Sequence, residues 1–305
     1  MDKKQHGAVV KAIIAVIIWG ASFVATKIAV QEVSPDLVVF LRFGMGVIIL
    51  GGVVWSRKQL QWPQWKDWLY FMLLGFLGIT FHQWLQSTGL VTAQAVTTGW
   101  IVASIPIFMV ILSWIFLREK LAWLQVLGIC LAAIGVLLII TKGNLGSLIS
   151  GHFGSVGDFL ILISAPNWAI FSILSKRGLQ KYPAAEMMFY VMMFGWLFSS
   201  ILLFNTGDIN QVREISINGW SAISFLGIFC SGIAYVFWYD ALQALPVSQT
   251  GAFLYLEPVI TVIVASLLLG EKLLLSGLLG GMVILLGVWM VNRKIINIRK
   301  NIFTE

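Results

Sequence analysis

Along the chain, apolar runs of about 20 residues alternate with short polar or basic breaks. Wound as α-helix, a run of that length spans the roughly 30 Å hydrocarbon layer of a bilayer. The pattern predicts ten such helices, near 8–31, 36–55, 67–88, 92–116, 121–141, 157–178, 184–205, 218–241, 248–269 and 273–292. It also repeats. Sliding Ser248–Leu273 back 152 positions sets Thr250 on Thr98, Pro258 on Pro106 and Glu271-Lys272-Leu273 on Glu119-Lys120-Leu121. Further on, Gly280 falls on Gly128 and Gly287 on Gly135. The Gly/Ser-rich stretch Lys142–Gly157 is the natural join. It divides the chain into repeats over 1–148 and 149–305, the second ending in a short basic tail. The expected fold is an all-α membrane protein of about ten transmembrane helices in two five-helix repeats.

Lysine and arginine mark the cytoplasmic side of such a protein. With the N-terminus inside, Lys3, Lys4, Lys11, Arg57, Lys58, Lys66, Arg118, Lys120, Lys176, Arg177, Lys181, Arg293, Lys294, Arg299 and Lys300 fall inside, against Lys142, Arg213 and Lys272 outside, with Lys27 and Arg42 within spans nearer the outer end. Both termini are therefore expected in the cytoplasm of a multi-pass cell-membrane protein. The first run, with Lys3 and Lys4 before it, has the outline of a secretory signal. Its length, and the echo of Trp19…Lys27 in Trp168…Lys176, point to a retained helix. Five spans is an odd number, so the second repeat starts on the opposite side and the two are inverted. Inverted repeats set a binding site near the mid-plane, between the halves, and expose it to each side by rocking one bundle on the other. The expected function is transport.

Composition agrees and removes alternatives. Hydrophobic residues make up 59% and charged ones 11% of the chain, too apolar for a soluble domain. The net charge of +7 is accounted for by topology, so no nucleic-acid partner is expected. Cys130 and Cys230 sit mid-run, which suits neither a disulfide framework nor a metal site. No nucleotide-binding glycine loop is present, and no cofactor is expected.

Trp19-Gly20-Ala21-Ser22-Phe23 with Lys27, then Leu41-Arg42-Phe43, resembles the opening of an EamA repeat of the drug/metabolite transporter superfamily. So do Ile105-Pro106 with Arg118-Glu119-Lys120, and Leu256-Glu257-Pro258-Val259 with Gly270-Glu271-Lys272. The resemblance covers nearly the whole chain in two copies. It implies a ten-helix inverted-repeat fold and export of small metabolites, often amino acids, by a secondary transporter. The second copy departs at its start: Trp168 is kept, but Ala169 and Ser172 replace the glycine and phenylalanine. The resemblance therefore does not imply a symmetric site.

Ionisable groups inside a bilayer are expensive, so each needs a reason. Lys27 shares a face with Trp19 and Phe23 near the outer end of span 1. It either snorkels to the interface or pairs with an acidic group or a substrate carboxylate. Arg42 is expected to pin helices through carbonyls, or through Glu32 and Asp36, rather than to touch substrate. His82 and Gln86 lie one turn apart in span 3. His82 is a candidate for proton coupling or substrate hydrogen bonding, against the commoner role of a packing histidine. Glu257, in mid-span 9, is the foremost acidic candidate, since an unpaired carboxylate at that depth is costly and its counterpart Ile105 is apolar. Asp240, near the inner end of span 8, reads as a cap or interface residue. Pro106 and Pro258 each remove a backbone donor and free a carbonyl about one turn earlier, which makes them candidate kinks or hinges beside a cavity.

Of the tryptophans, Trp55, Trp62, Trp65, Trp68, Trp123 and Trp220 fall at span ends, where indoles favour the interface. Deeper aromatics are the better cavity candidates: Trp19, Trp100, Trp168, Tyr235, Trp238 and Tyr239. Such a lining suits an apolar or aromatic side chain, or a cation. Gly75, Gly78, Gly128, Gly135, Gly277, Gly280, Gly281 and Gly287 read as close helix contacts. A membrane-embedded enzyme would need clustered nucleophile and base or metal ligands. His6, His82 and His152 are scattered, and no such motif occurs. The sequence thus reads as a transporter, not an enzyme, that exports a small metabolite, foremost an amino acid. An uptake carrier or flippase for another organic solute is the alternative. Protons are the candidate coupling ion, and a monomer and a homodimer are equally compatible.

Overall fold

The structure, a computed structural model, describes residues 3–105, 107–108, 111–112, 115, 123–144, 154–245 and 253–302. Among these, every regular element is helical. Helices α1 (Lys3–Val30), α2 (Pro35–Ser56), α3 (Trp65–Thr92), α4 (Ala95–Val102) and α5 (Trp123–Ile140) make up the first half. The second half contains α6 (Val156–Lys181), α7 (Ala184–Thr206), α8 (Ile217–Ala244), α9 (Glu257–Leu268) and α10 (Leu275–Ile302). Seven of them, α1 to α3 and α5 to α8, carry stretches long and apolar enough to cross a membrane, and Leu254–Leu268 and Leu275–Gly287 are shorter apolar helices. The chain is a multi-pass membrane protein. Of the predicted span 92–116, little beyond α4 is described, and Pro106 and the join near 148 lie outside the described residues.

The helix ends follow from local chemistry. Ser34 caps α2 by accepting from the Leu37 N–H, and Pro35 takes the first turn, where its missing donor costs nothing. Ser155 and Asp158 form a capping box on α6. The bundle's flanks are apolar and exposed, as at Ile48, Leu69 and Leu267. In a bilayer those side chains face lipid. Trp55, Trp62, Trp65 and Trp123 stand exposed at helix ends, as interface residues should.

Two features relate the halves. First, α3 and α8 both turn π-helical in mid-course, over Phe76–Phe81 and Phe225–Ala234. The 152-residue shift lays the first stretch inside the second. A π-helical turn breaks the regular i→i−4 ladder, and the opening helix of the opposite half reaches carbonyls in both segments. Trp19 Nε1 donates to the Cys230 carbonyl (3.2 Å), and Asn167 Nδ2 donates to the Leu77 carbonyl (2.8 Å).

Second, the packing is reciprocal. The α1–α9 contact is matched by α6–α4, α1–α8 by α6–α3, and α2–α8 by α7–α3, while α2–α7 and α5–α10 pair with their own counterparts. At the α5–α10 contact Gly135 meets Gly280 and Gly287 meets Gly128, so the two helices run antiparallel. In the duplication register each contact maps onto the other with partners exchanged, the mark of a two-fold relation. Gly277, expected at a close contact, instead faces open space.

This contact tolerates no side chain. A Cβ on Gly135 would lie 2.6 Å from the Gly280 carbonyl oxygen, and one on Gly280 would lie 2.8 Å from that of Gly135. Gly135→Ala is expected to cost about 1–3 kcal/mol by overpacking. Gly52→Ala, where nothing stands within 4 Å, should be neutral or slightly stabilising. Unfolding midpoints of both variants in mild detergent check the contrast.

Candidate functional site

A cavity opens where α1, α2, α3, α6, α8 and α9 converge, with Val102 at the end of α4 and Ile105 also lining it. Its volume is about 50 Å³. That admits a few waters, so a metabolite must widen it. Helix α1 supplies Trp19, Ser22 and Phe23, and it can approach α9 closely because Gly20 has no side chain. A Cβ there would lie 2.9 Å from the Glu257 carbonyl oxygen. Thr261 fastens the same contact, its hydroxyl placed 2.8 Å from both the Gly20 and Glu257 carbonyls.

The walls are aromatic. Trp19 packs edge-on against Trp168 (6.2 Å between ring centres) and Tyr235 (5.5 Å). Trp168 leans on His82 at 4.8 Å. Between these rings sit polar groups with unfilled hydrogen-bonding capacity. Neither His82 Nδ1 nor the Tyr235 hydroxyl makes a well-formed hydrogen bond among the described residues, although the Ser164 backbone lies near His82 and Gln83 near Tyr235. Buried polar atoms in that state are uncommon and call for a ligand, water or ion.

Two charged residues face the same space. Arg42, 4% exposed, donates from Nε to Ser231 Oγ (3.2 Å) and from Nη1 to Gln83 Oε1 (3.0 Å), with its guanidinium 4.9 Å above the Phe43 ring. Its partners are therefore neutral side chains, not the carbonyls or the Glu32 and Asp36 carboxylates expected from sequence. Glu32 is engaged elsewhere, accepting from the Ser216 N–H and hydroxyl. Glu257, 5% exposed, opens α9 directly after a 3₁₀ turn at Leu254–Leu256. The positive end of the helix dipole favours an acid there. Pro258 occupies the first turn of α9, directly after that 3₁₀ turn, within the apolar helical stretch Leu254–Leu268. The break in regular helix is upstream of it.

Of the residues singled out from sequence, Trp19, Phe23, His82, Gln86, Trp168, Tyr235 and Glu257 line this cavity. Lys27, Trp100, Trp238 and Tyr239 do not. Lys27 Nζ donates to the carbonyls of Leu90, Val91 and Ala93 (2.8, 3.2 and 2.8 Å), closing the C-terminal end of α3. Trp100 faces Gly281 on α10. Trp238 and Tyr239 lie next to the cavity, against Trp19 (5.2 Å) and Tyr235 (6.0 Å). Past them Asp240 binds Lys11 (2.7 Å) and Arg57 (2.9 Å), tying the start of α1 and the end of α2 to the end of α8. The same end of the bundle carries the Lys181–Asp67 pair. Arg42, Gln83 and Ser22 were not anticipated as lining. An arginine a turn and a half into an apolar run is a visible signal of depth, but its facing is not.

The EamA-like transporter family matches this chain twice, over residues 6–141 and 155–293. A protein named "Uncharacterized transporter" from Archaeoglobus fulgidus is 29% identical, over 92% of this chain and 97% of its own length. One named "Probable terminal-alkyne amino-acid exporter" from Streptantibioticus cattleyicolor is 26% identical over 99% and 98%. A solved crystal structure, 19% identical, superposes with a TM-score of 0.67 over 93% of this chain and 94% of its own. That likeness concerns the fold alone.

The three Lys27 hydrogen bonds give a direct test of its role. Lys27→Met keeps the apolar stem but leaves those carbonyls unmet. Hydrogen bonds to charged groups contribute about 1.5–3 kcal/mol, and a loss in that range is expected in the unfolding free energy measured in detergent. Substrate competition profiles should be unaltered.

Proposed function

The chain belongs to the EamA-like transporter family, and from that premise we propose that it exports an amino acid or a related small metabolite through the cavity at Trp19, His82 and Glu257. It is a membrane transporter and not an enzyme. We read its fold as ten membrane crossings in two inverted five-helix repeats, 1–148 and 149–305, set in the cell membrane with both termini in the cytoplasm. Alternating access then follows from rocking one repeat on the other around a fixed central site.

The observation that carries this reading is the position of the cavity: α1, α2 and α3 from one half and α6, α8 and α9 from the other all reach it. The reciprocal, antiparallel α5–α10 contact supports inversion, because a two-fold axis relating antiparallel helices lies perpendicular to them, in the membrane plane. With the N-terminus inside, the Lys11–Asp240–Arg57 cluster and the Trp238 and Tyr239 rings close the cytoplasmic end. Outward movement of an amino-acid solute is supported by the name of the Streptantibioticus relative. His82 and Glu257, ionisable and facing the cavity, are the groups through which a proton gradient would couple to transport.

Purified protein in proteoliposomes tests the reading. A panel of amino acids and related metabolites is assayed with and without an imposed pH gradient. At least one amino acid should be carried, and faster with the gradient than without. The variant combining Glu257→Gln with His82→Ala should lose the response to the gradient. An unchanged response would remove both residues from coupling, and a panel with no carried solute would sink the reading itself.

A further inference from the structure

We propose that Arg42 and Glu257 hold the two ends of a zwitterion, Arg42 its carboxylate and Glu257 its ammonium, so that the carrier selects solutes bearing both groups. The inference rests on the amino-acid reading above and specifies how such a solute is recognised. Both side chains are more than nine-tenths buried, both line the cavity, and they come from opposite halves, on α2 and α9. Neither side chain is matched by an opposite charge among the described residues. Among the described residues no ion pair within 4.0 Å involves either one. Ser231 and Gln83, the hydrogen-bond partners of Arg42, are neutral, and no described donor reaches the Glu257 carboxylate.

Opposite charges that face one space without touching define what can fill it. A buried charge without a partner is strongly unfavourable, and a solute of a single charge would relieve one residue while leaving the other unmet. An uncharged solute would relieve neither. A zwitterion meets both in one event, which is how a site discriminates most sharply: by the groups a wrong ligand leaves unpaired. The guanidinium is suited to its half of the task. Ser231 and Gln83 hold Nε and Nη1 and so orient its plane, and Nη2 makes no hydrogen bond to a described residue. A planar fork held this way presents N–H donors to a carboxylate. Trp19, Phe23 and Trp168 line the same cavity with apolar surface for the side chain of the solute.

The test is uptake by the reconstituted protein of L-leucine, L-phenylalanine and L-threonine, each beside its N-acetyl derivative and its amide. For whichever amino acids are carried, both derivatives should be at least tenfold slower. Glu257→Gln should abolish the disadvantage of the N-acetyl derivative while keeping that of the amide, and Arg42→Gln should do the converse. A residue that only supports the fold would lower all three rates together, and that result in both variants would overturn the assignment. So would wild-type protein carrying derivatives and parents alike, a comparison that needs no variant to fold, and in that case transport of amino acids would still stand. Carriage of no amino acid in the wider panel, with transport of other metabolites intact, would remove the amino-acid reading and this inference with it.

Discussion

Inside hydrocarbon there is no water to satisfy a backbone amide or carbonyl, so every departure from regular helix must be met by another part of the chain. The hydrogen bond from Trp19 to the Cys230 carbonyl, and its counterpart from Asn167 to Leu77, act on that constraint. Each ties the opening helix of one half to the π-helical stretch of the other. The π turns in α3 and α8 can exist because α1 and α6 reach them, and α1 and α6 are held in place partly because those carbonyls are available. The cavity grows from the same crossing. Trp19 donates to α8 with its indole nitrogen while its ring forms the wall against Trp168 and Tyr235.

Around that crossing the two halves have different duties despite their common pattern. Helices α5 and α10 meet through glycines with nothing between the backbones, a contact suited to holding a fixed seam. At the center, the correspondence of sequence is broken where chemistry is needed. Glu257 stands where the first copy has Ile105, and both residues reach the cavity, one as a carboxylate and the other as apolar wall. A duplicated scaffold with an unequal lining can keep a two-fold packing scheme and still present a polar solute with distinguishable ends.

Much of the fold could be read from the chain because a bilayer imposes a one-dimensional rule: a helix that crosses it must be apolar over about 20 residues. The long helices follow the predicted runs for that reason. The π-helical segments could not be read, since Phe76–Phe81 and Phe225–Ala234 have ordinary apolar composition and owe their form to partners far along the chain. Pro258 marks a discontinuity whose form, a 3₁₀ turn directly before α9, the apolar pattern does not reveal. For the site, depth was visible and facing was not. Lys27 and Arg42 are both cations within apolar runs, yet one closes the end of α3 and the other lines the cavity.

Hydrophobicity, charge and duplication are properties of residues in order, and from them alone come the helical membrane class, the two-copy pattern and the membership of a transporter family. Which polar groups meet is a property of helix rotation and crossing, to which order along the chain is nearly blind. A turn of a few tens of degrees about the axis of α2 would carry Arg42 from the cavity toward a neighbouring helix without altering a single position in the apolar pattern. Only the packed bundle decided that Arg42 and Glu257 share one space with no ion pair among the described residues, that Lys27 does not, and that Trp19 spans the seam.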